Sequence, residues 1–240
     1  MKQITFHPAN ERGFADHGWL KAAHSFSFAG FYDPKKIHFG ALRVLNDDII
    51  AGGMGFGTHP HDNMEIITIM LEGELAHKDS MGHVQSLLPN EVQVMSAGTG
   101  IYHSEYNNLP DKRINLLQTW IFPAKRNVTP RYDQKIFEPT ERINNLQMLV
   151  SPIDTEDDGL KIHQNAWLYR ATFDAGLQTT VKLHTSTNGF YIFNLEGDLE
   201  IEGHQLGRRD AIGVIGNEEL TITSKTKSDF VVFEIPMQLR

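Results

Sequence analysis

The chain contains the segment Leu71-Glu72-Gly73-Glu74-Leu75 and repeats it as Leu195-Glu196-Gly197-Asp198-Leu199, which is 124 residues later (195 − 71). In both places a β-rich run leads into the Glu-Gly turn and a glycine-containing hairpin follows. The five-residue match is weak evidence by itself, but the strand pattern around it repeats as well. We therefore predict two copies of one antiparallel unit rather than one large barrel.

Strand-length apolar runs surround both copies of this segment. They occur at residues 66–71, 92–95, 190–193 and 230–233, and turn signals such as Ser80-Met81-Gly82 separate the runs at short intervals. Such spacing is typical of an all-β sandwich or barrel. Helical periodicity over ten or more residues is hard to find, so we expect few and short helices.

The length of 240 residues suits two domains of ordinary size. Residues 123–139 contain three prolines and several charges, which is typical of a linker. We predict an amino-terminal domain over residues 1–130, a linker over 131–145 and a carboxy-terminal domain over 146–240.

Composition excludes several classes of function. The formal charge of −8 provides no basic field for a phosphate backbone, so direct nucleic-acid binding is not expected. Cysteine is absent, which removes thiolate chemistry and means that any metal must be held by nitrogen and oxygen. No apolar stretch has the length of a signal peptide core or of a membrane span. We expect a cytoplasmic protein with no membrane partner.

Two short motifs in the first copy place metal-ligating side chains two residues apart. His59 and His61 form one pair, and His103 and Glu105 form the other. Residues two apart on a strand point to the same face, so each pair can present both side chains to one point. If both strands line one barrel, the four side chains form a nitrogen and oxygen site that leaves one or two positions open on an octahedral metal. Open positions indicate catalysis.

Alternatives remain for this site. A single His-x-His is more often exposed to solvent than bound to a metal, but here a His-x-Glu follows 42 residues after His61 (103 − 61). Glu65 could be the carboxylate ligand in place of Glu105, or it could accept a hydrogen bond from a ligand imidazole and orient it.

Other residues near these motifs have less certain roles. His77 and Asp79 suggest a hydrogen-bonded hairpin end, and His24 suggests a satisfied or exposed strand histidine. Three residues adjoin the ligand strands and could line an apolar substrate pocket, although core packing is an equal alternative for each: Phe56, Met95 and Tyr102.

These motifs resemble those of a known superfamily. The run Gly53-x5-His59-x-His61-x3-Glu65 resembles the first cupin motif, and Gly100-x2-His103-x3-Asn107 resembles the second. Gly98 stands where cupins usually have proline. The duplicated unit therefore resembles a bicupin, and the resemblance implies two tandem cupin domains, each a double-stranded β-helix or jelly roll.

The first half resembles the pirin family in particular. The matching runs include Gly18-Trp19-Leu20, His24-Ser25-Phe26-Ser27-Phe28, Phe56-Gly57-Thr58-His59-Pro60-His61 and the stretch 95–105. The short chain and the poorly matching second half resemble bacterial pirin-like proteins, some of which act as quercetin 2,3-dioxygenases. In that family the histidines of His-Pro-His and the His and Glu of His-Ser-Glu hold the metal, and these fall on His59, His61, His103 and Glu105.

The resemblance implies a metal-dependent dioxygenase that opens the heterocycle of flavonols with O2. It implies one divalent metal ion per chain, with Fe(II) as the first choice and Ni, Co, Mn, Cu or Zn as alternatives. Glu105 is then the catalytic candidate that takes the proton of the substrate hydroxyl. The main alternative is a redox-sensing module that binds a protein partner, such as a transcription factor or a metabolic enzyme. A cupin isomerase or decarboxylase is the third choice.

The second copy departs from this pattern. The offset of 124 residues puts Leu183 and Thr185 under His59 and His61, and only His184 is nearby. A solitary histidine is more often a strand or loop residue than a metal site. We therefore expect the carboxy-terminal cupin to be metal-free and structural.

Overall fold

The apolar runs of the sequence form strands throughout the computed structural model, which describes residues 2–239. The first half contains twelve strands: β1 (Gln3–His7), β2 (Gly13–Asp16), β3 (Leu20–His24), β4 (Leu42–Ile50), β5 (Gly55–His61), β6 (Glu65–Glu72), β7 (Leu75–Asp79), β8 (Val84–Leu87), β9 (Glu91–Ser96), β10 (Ile101–Asn107), β11 (Ile114–Ile121) and β12 (Arg131–Ile136).

The second half contains ten strands: β13 (Gln147–Pro152), β14 (Leu160–Ile162), β15 (Trp167–Phe173), β16 (Gln178–Lys182), β17 (Asn188–Glu196), β18 (Leu199–Ile201), β19 (His204–Leu206), β20 (Ala211–Ile215), β21 (Glu219–Ser224) and β22 (Ser228–Pro236). The helical segments among the described residues are two short 3₁₀ turns, Ala9–Glu11 and Pro139–Arg142. Neither turn has the length or apolar character that a membrane-crossing helix requires.

Both halves have the same arrangement of central strands. In the first half a seven-stranded sheet has the order β12-β9-β6-β11-β4-β3-β2, and a four-stranded sheet has the order β5-β10-β7-β8. In the second half the corresponding orders are β1-β20-β17-β22-β15-β13-β14 and β16-β21-β18-β19. The four-stranded sheets and the central strands of the large sheets match position by position. At the edges, β14 is parallel to β13 whereas β2 is antiparallel to β3, and β1 comes from the start of the chain whereas β12 follows its half. The prediction of an all-β fold with two copies of one cupin unit is therefore confirmed.

Two strands pair in a way that the predicted domain ranges do not show. β12 lies inside the predicted linker of residues 131–145, yet it pairs with β9 of the first half. β1, at the start of the chain, pairs with β20 of the second half. An edge strand joins whichever sheet offers unpaired backbone groups, and linear sequence does not show which sheet that is. Residues 137–146 therefore form the connection between the last strand of the first half and β13.

The two large sheets pack against each other and bury one shared core. On β17, Tyr191 and Phe193 point into this core, whereas Phe190 and Ile192 point into the barrel of the second half. This explains the continuous apolar run at 190–193, because both faces of the strand are buried. On β6 the alternation differs. Ile67 and Ile69 join the shared core, while Thr68 lies between them on the opposite face.

Candidate metal centre

Three imidazoles meet where β5 and β10 run side by side. In the pairing of these strands, His103 lies opposite His59 and Ile101 lies opposite His61. The Nε2 atoms of His103 and His59 are 3.0 Å apart. Ring centroids are 4.5 Å apart for His59 and His103 and 4.9 Å apart for His61 and His103. One ligand atom from each histidine lies within 4.8 Å of the others, so the structure brings these three predicted residues together.

The electrostatic environment favours the neutral imidazoles that bind metals. His59 Nδ1 lies 2.7 Å from the carbonyl oxygen of Gly57 and donates to it, which turns its Nε2 toward His103. Burial, and then the nearby imidazole of His59, lower the pKa of His61 to about 4. The same two causes, with further imidazoles, lower the pKa of His103 to about 2. Unprotonated nitrogens this close together suit a shared cation.

Glu105 belongs to a second group of buried side chains. Ligand atoms of His77, His103 and Glu105 also lie within 4.8 Å of one another, so His103 is common to both groups. Gln118 Nε2 donates to Glu105 Oε2 over 3.1 Å, whereas Oε1 has no hydrogen-bond partner within residues 2–239. Burial raises the pKa of Glu105 to about 7. A buried carboxylate oxygen without a donor is an atom that a cation can partner.

The four predicted ligands therefore do not form one compact group. The register of β5 against β10 shifts between His103 and Glu105, so that Glu105 lies opposite Phe56 rather than opposite Gly57. The extra residue of this β-bulge is on β5, and the side chains of His103 and Glu105 still point to the same face of β10. The carboxylate of Glu105 faces His103 from the side of β7, where His77 is its cross-strand neighbour.

His77 is a site residue that the sequence analysis missed. Its ring is fully buried, and its Nε2 lies 3.3 Å from Asp79 Oδ2, which also accepts a hydrogen bond from His83 Nδ1 over 2.8 Å. The backbone amides of Met81 and His83 donate to Asp79 Oδ1, as the predicted hairpin end requires. The His77-x-Asp79 spacing, which repeats that of His103-x-Glu105 on the neighbouring strand, is the signal that could have revealed it.

Glu65 lies in a different place from the imidazoles. It sits on β6 opposite Ser96, whose hydroxyl donates to its Oε2 over 2.6 Å, and the backbone amide of His163 is a further donor. It belongs to neither group of potential ligands. β5 and β6 are in different sheets, so a spacing of four residues from His61 did not show where the carboxylate points. Burial raises the pKa of Glu65 to about 7.

A cavity of about 630 Å³ lies beside the imidazoles. Its walls include five aromatic rings: Phe14, Trp19, Phe28, Phe31 and Phe56. The ring of Phe56 is 6.5 Å from that of His59. The ring of Phe28 is 5.3 Å from that of Trp120, which is in turn 4.9 Å from His61. The ring of Phe56 therefore separates the cavity from His59, and the rings of Phe28 and Trp120 separate it from His61.

The three residues predicted for the pocket lie in different places. Phe56 lines the cavity, but Met95 and Tyr102 do not. Met95 is fully buried among core residues that include Ile66. Tyr102 is 56% exposed because it alternates with the inward-pointing His103 on β10. His24 also lines the cavity, where its Nδ1 lies 2.9 Å from Asn46 Oδ1, as expected for a satisfied strand histidine.

The corresponding strands of the second half carry aliphatic side chains at these positions. Val181 on β16 lies opposite Leu220 on β21, as His59 lies opposite His103. The next inward residue of β21 is Ile222, which lies opposite Ile201 as Glu105 lies opposite His77. These four side chains are buried in the core of the second barrel: Val181, Ile201, Leu220 and Ile222.

The constant offset of 124 residues is wrong at these strands, because β10 and β21 differ by 117 residues (220 − 103). His184 follows β16, where its Nδ1 is 2.7 Å from Glu234 Oε2 and its ring stacks 4.2 Å from that of Trp167. Aliphatic side chains offer no ligand atom, so a metal-free second barrel stays our prediction.

Tandem cupin barrels with one imidazole and carboxylate cluster in the first barrel define a bicupin with a candidate metal centre. The Pirin family model matches residues 5–121, and the quercetinase C-terminal cupin domain model matches residues 148–235. The chain belongs to the pirin family.

Several relatives are similar over almost their whole length. The chain is 41% identical to a quercetin 2,3-dioxygenase from Escherichia coli K12 over 97% of this chain and 99% of the relative. It is 40% identical to a pirin-like protein from Caulobacter vibrioides over 95% of this chain and 97% of the relative. The crystal structure of the bacterial pirin YhhW from Escherichia coli in complex with nickel(II) has a TM-score of 0.92 and 40% identity, covering 98% of this chain and 99% of that one.

Proposed function

We propose that this protein is a metal-dependent dioxygenase that opens the heterocycle of flavonols such as quercetin with O2. The observation that carries the proposal is the cluster of imidazoles and a buried carboxylate beside an aromatic cavity. The quercetin 2,3-dioxygenase from Escherichia coli, at 41% identity, supports the same activity.

The residues that would hold the metal are His59, His61, His103 and Glu105. The donor set fits a divalent ion, because imidazole nitrogens of the first three lie within 4.8 Å of one another and the carboxylate oxygen of Glu105, which has no donor within residues 2–239, lies equally close to His103. The nickel(II) complex of YhhW supports a divalent metal, and Fe(II) is our first choice for this chain. When bound, such an ion supplies Lewis acidity that lowers the pKa of a coordinated hydroxyl group.

Glu105 would accept the proton of the substrate hydroxyl. Gln118 donates to its Oε2 and orients the carboxylate. A pKa raised by burial to about 7 makes the carboxylate a better base than an exposed glutamate at neutral pH. The aromatic walls of the cavity would orient a flat ring and exclude water from it.

Oxygen uptake and carbon monoxide release by the metal-loaded protein test this proposal, with quercetin as the substrate. We expect turnover in the wild type and a loss of at least about 100-fold in Glu105→Gln, because the amide keeps the size but loses the basicity. Metal content should fall less than turnover. The matched control is Glu234→Gln, since Glu234 is also buried but lies in the second half; it should keep wild-type turnover.

If the metal-loaded wild type consumes no O2 with any flavonol tested, the dioxygenase proposal fails. The alternative, a metal-containing module that binds a protein partner, would then be favoured. Equal turnover of wild type and Glu105→Gln would leave a dioxygenase but remove Glu105 as its base.

A further inference from the structure

The aromatic cavity has a polar wall built by two neighbouring strands. Alternate residues of β3 and β4 face it, so that His24 lies opposite Asn46 and Ala22 lies opposite Asp48. His24 and Asn46 are within hydrogen-bond distance of each other, at 2.9 Å, and so satisfy one another across the strands. The polar wall therefore contains one hydrogen-bonded pair, His24 and Asn46, and the carboxyl group of Asp48 beside it.

Asp48 has no such partner in its sheet. Its cross-strand neighbours are Ala22 on one side and Leu116 on the other, and neither side chain can hydrogen-bond. Asp48 is only 4% exposed, and its Oδ1 has no hydrogen-bond partner in the described part of the chain. A buried oxygen without a hydrogen-bond partner costs free energy. Its presence in a cavity wall points to a ligand that supplies the missing hydrogen bond.

The charge state of Asp48 suits a hydroxyl group as that ligand. Burial, followed by the nearby carboxylates of Asp47 and Glu105, raises the pKa of Asp48 to about 8. At neutral pH the carboxyl group is therefore mostly protonated, and it can donate one hydrogen bond while it accepts another. A hydroxyl group needs the same combination, whereas a cation would need the charged form.

We propose that Asp48 is a specificity-determining residue, whose carboxyl group hydrogen-bonds a hydroxyl group on the flat aromatic substrate that occupies the cavity. This inference rests on the proposed function and goes further, since it selects polyhydroxylated aromatic compounds over analogues that lack those hydroxyl groups. The cavity volume of about 630 Å³ and its aromatic walls suit a molecule of two or three rings.

The test compares the binding of two flavonols to metal-loaded protein without O2. The probes are quercetin and 3-hydroxyflavone, which shares the same skeleton and the 3-hydroxyl group but lacks the other four hydroxyl groups. Trp19 lines the cavity, so tryptophan fluorescence reports occupancy. We expect the wild type to bind quercetin at least about 10-fold more tightly, the effect of one good buried hydrogen bond.

Asp48→Leu removes hydrogen bonding at similar volume. This variant should bind quercetin about 10-fold more weakly than the wild type does, and its affinity for 3-hydroxyflavone should stay within about twofold. Asp48→Asn keeps a donor and an acceptor, so it should retain most of the preference for quercetin. The matched control is Thr119→Val, because Thr119 is another buried residue whose hydroxyl has no partner in residues 2–239, but it does not line the cavity. The Thr119→Val variant should prefer quercetin over 3-hydroxyflavone as strongly as the wild type does.

The outcomes separate this inference from the dioxygenase proposal. An unchanged preference in Asp48→Leu, or a wild type that binds both flavonols equally, overturns the role of Asp48 even if O2 is consumed. A preference that Asp48→Leu abolishes supports it even if no O2 is consumed. Should Asp48→Leu fail to fold, Asp48→Ala takes its place: a lost preference in that variant supports the inference, and an unchanged preference overturns it.

Discussion

The two halves of this molecule share one strand topology but differ in what fills their barrels. In the first barrel the inward positions of β10 are occupied by His103 and Glu105, and in the second barrel the matching positions of β21 are occupied by Leu220 and Ile222. The pairing with the neighbouring strand, β7 or β18, is the same in both places, whereas the bulge in β5 has no counterpart in β16. The comparison shows that the jelly roll provides converging positions, and that residue choice decides whether they form a site or a core.

The two halves also differ in the free energy that their buried groups cost the folded state. Three buried carboxyl groups with strongly raised pKa values lie in the first half: Asp48, Glu65 and Glu105. Each of them disfavours the folded state whenever it is charged, because burial removes its hydration. The aliphatic core of the second barrel carries no such cost. We therefore expect the second half to stabilise the chain and the first half to carry the chemistry.

The largest expected effect is on metal binding. His103→Ala should weaken metal binding by more than about 100-fold, since it removes the one residue common to both ligand groups, and loss of a supporting residue alone costs 10- to 100-fold. Elemental analysis and metal titration would measure this, with one ion per chain expected in the wild type. The control is Leu220→Ala at the matching position, which should cost about 2–5 kcal/mol of unfolding free energy and leave metal content intact.

Two results would break the comparison at this point. One is a full metal content in His103→Ala. The other is a second tightly bound ion per wild-type chain, which would place a metal in the half whose inward positions are aliphatic.

Metal removal should have the next largest effect. Chelation should lower the unfolding free energy by about 3 kcal/mol when the free metal had been at 100 times its dissociation constant. The circular dichroism of the β-sheets should remain, because the shared core and the second barrel contain none of the proposed ligands. Loss of the β signal on chelation would mean that the metal is structural and that folding of the second half depends on the metal in the first.

Glu65 should make stability depend on pH in the first half. Its pKa is about 7 in the folded protein and near the ordinary 4.5 in the unfolded chain, so the folded state binds more protons between these values. Its contribution is therefore present at low pH and is lost as pH rises through 7, by about 2 kcal/mol between pH 5 and pH 8.

Denaturant unfolding of wild type and Glu65→Gln across this pH range would measure the contribution. The variant should gain stability relative to the wild type as pH rises, with little change in metal content. If Glu65→Gln instead empties the metal site, then Glu65 is the carboxylate ligand and the proposed role of Glu105 is incorrect.

The smallest expected effect concerns the outward face of β10. Tyr102→Ala should change turnover and flavonol affinity by less than about twofold, because the side chain points to solvent while its neighbour His103 points inward. Phe56→Ala, which removes part of the cavity wall, should raise the KM for quercetin several-fold. Equal effects of the two substitutions would show that the substrate binds outside the cavity.

Much of this molecule could be predicted from local pattern. The repeated Leu-Glu-Gly turn, the apolar alternation and the His-x-His motif depend on residues close in sequence, so the duplication and the three imidazoles could be recognised in the chain itself. The position of Glu105 was less predictable. Its side chain shares a face with that of His103, as the two-residue spacing predicts, but the bulge in β5 and the pairing with His77 on β7 decide which imidazoles it meets.

The sequence by itself determined the all-β class, the two copies and the residue types that can bind a metal, because these follow from periodicity and side-chain chemistry. Only the tertiary structure decided that β1 completes the sheet of the second half and that Glu65 faces Ser96. It also decided that His77 joins the site and that Asp48 faces an aromatic cavity. These are contacts between strands that are distant in sequence, and they depend on sheet order and register, which no single stretch of the chain encodes.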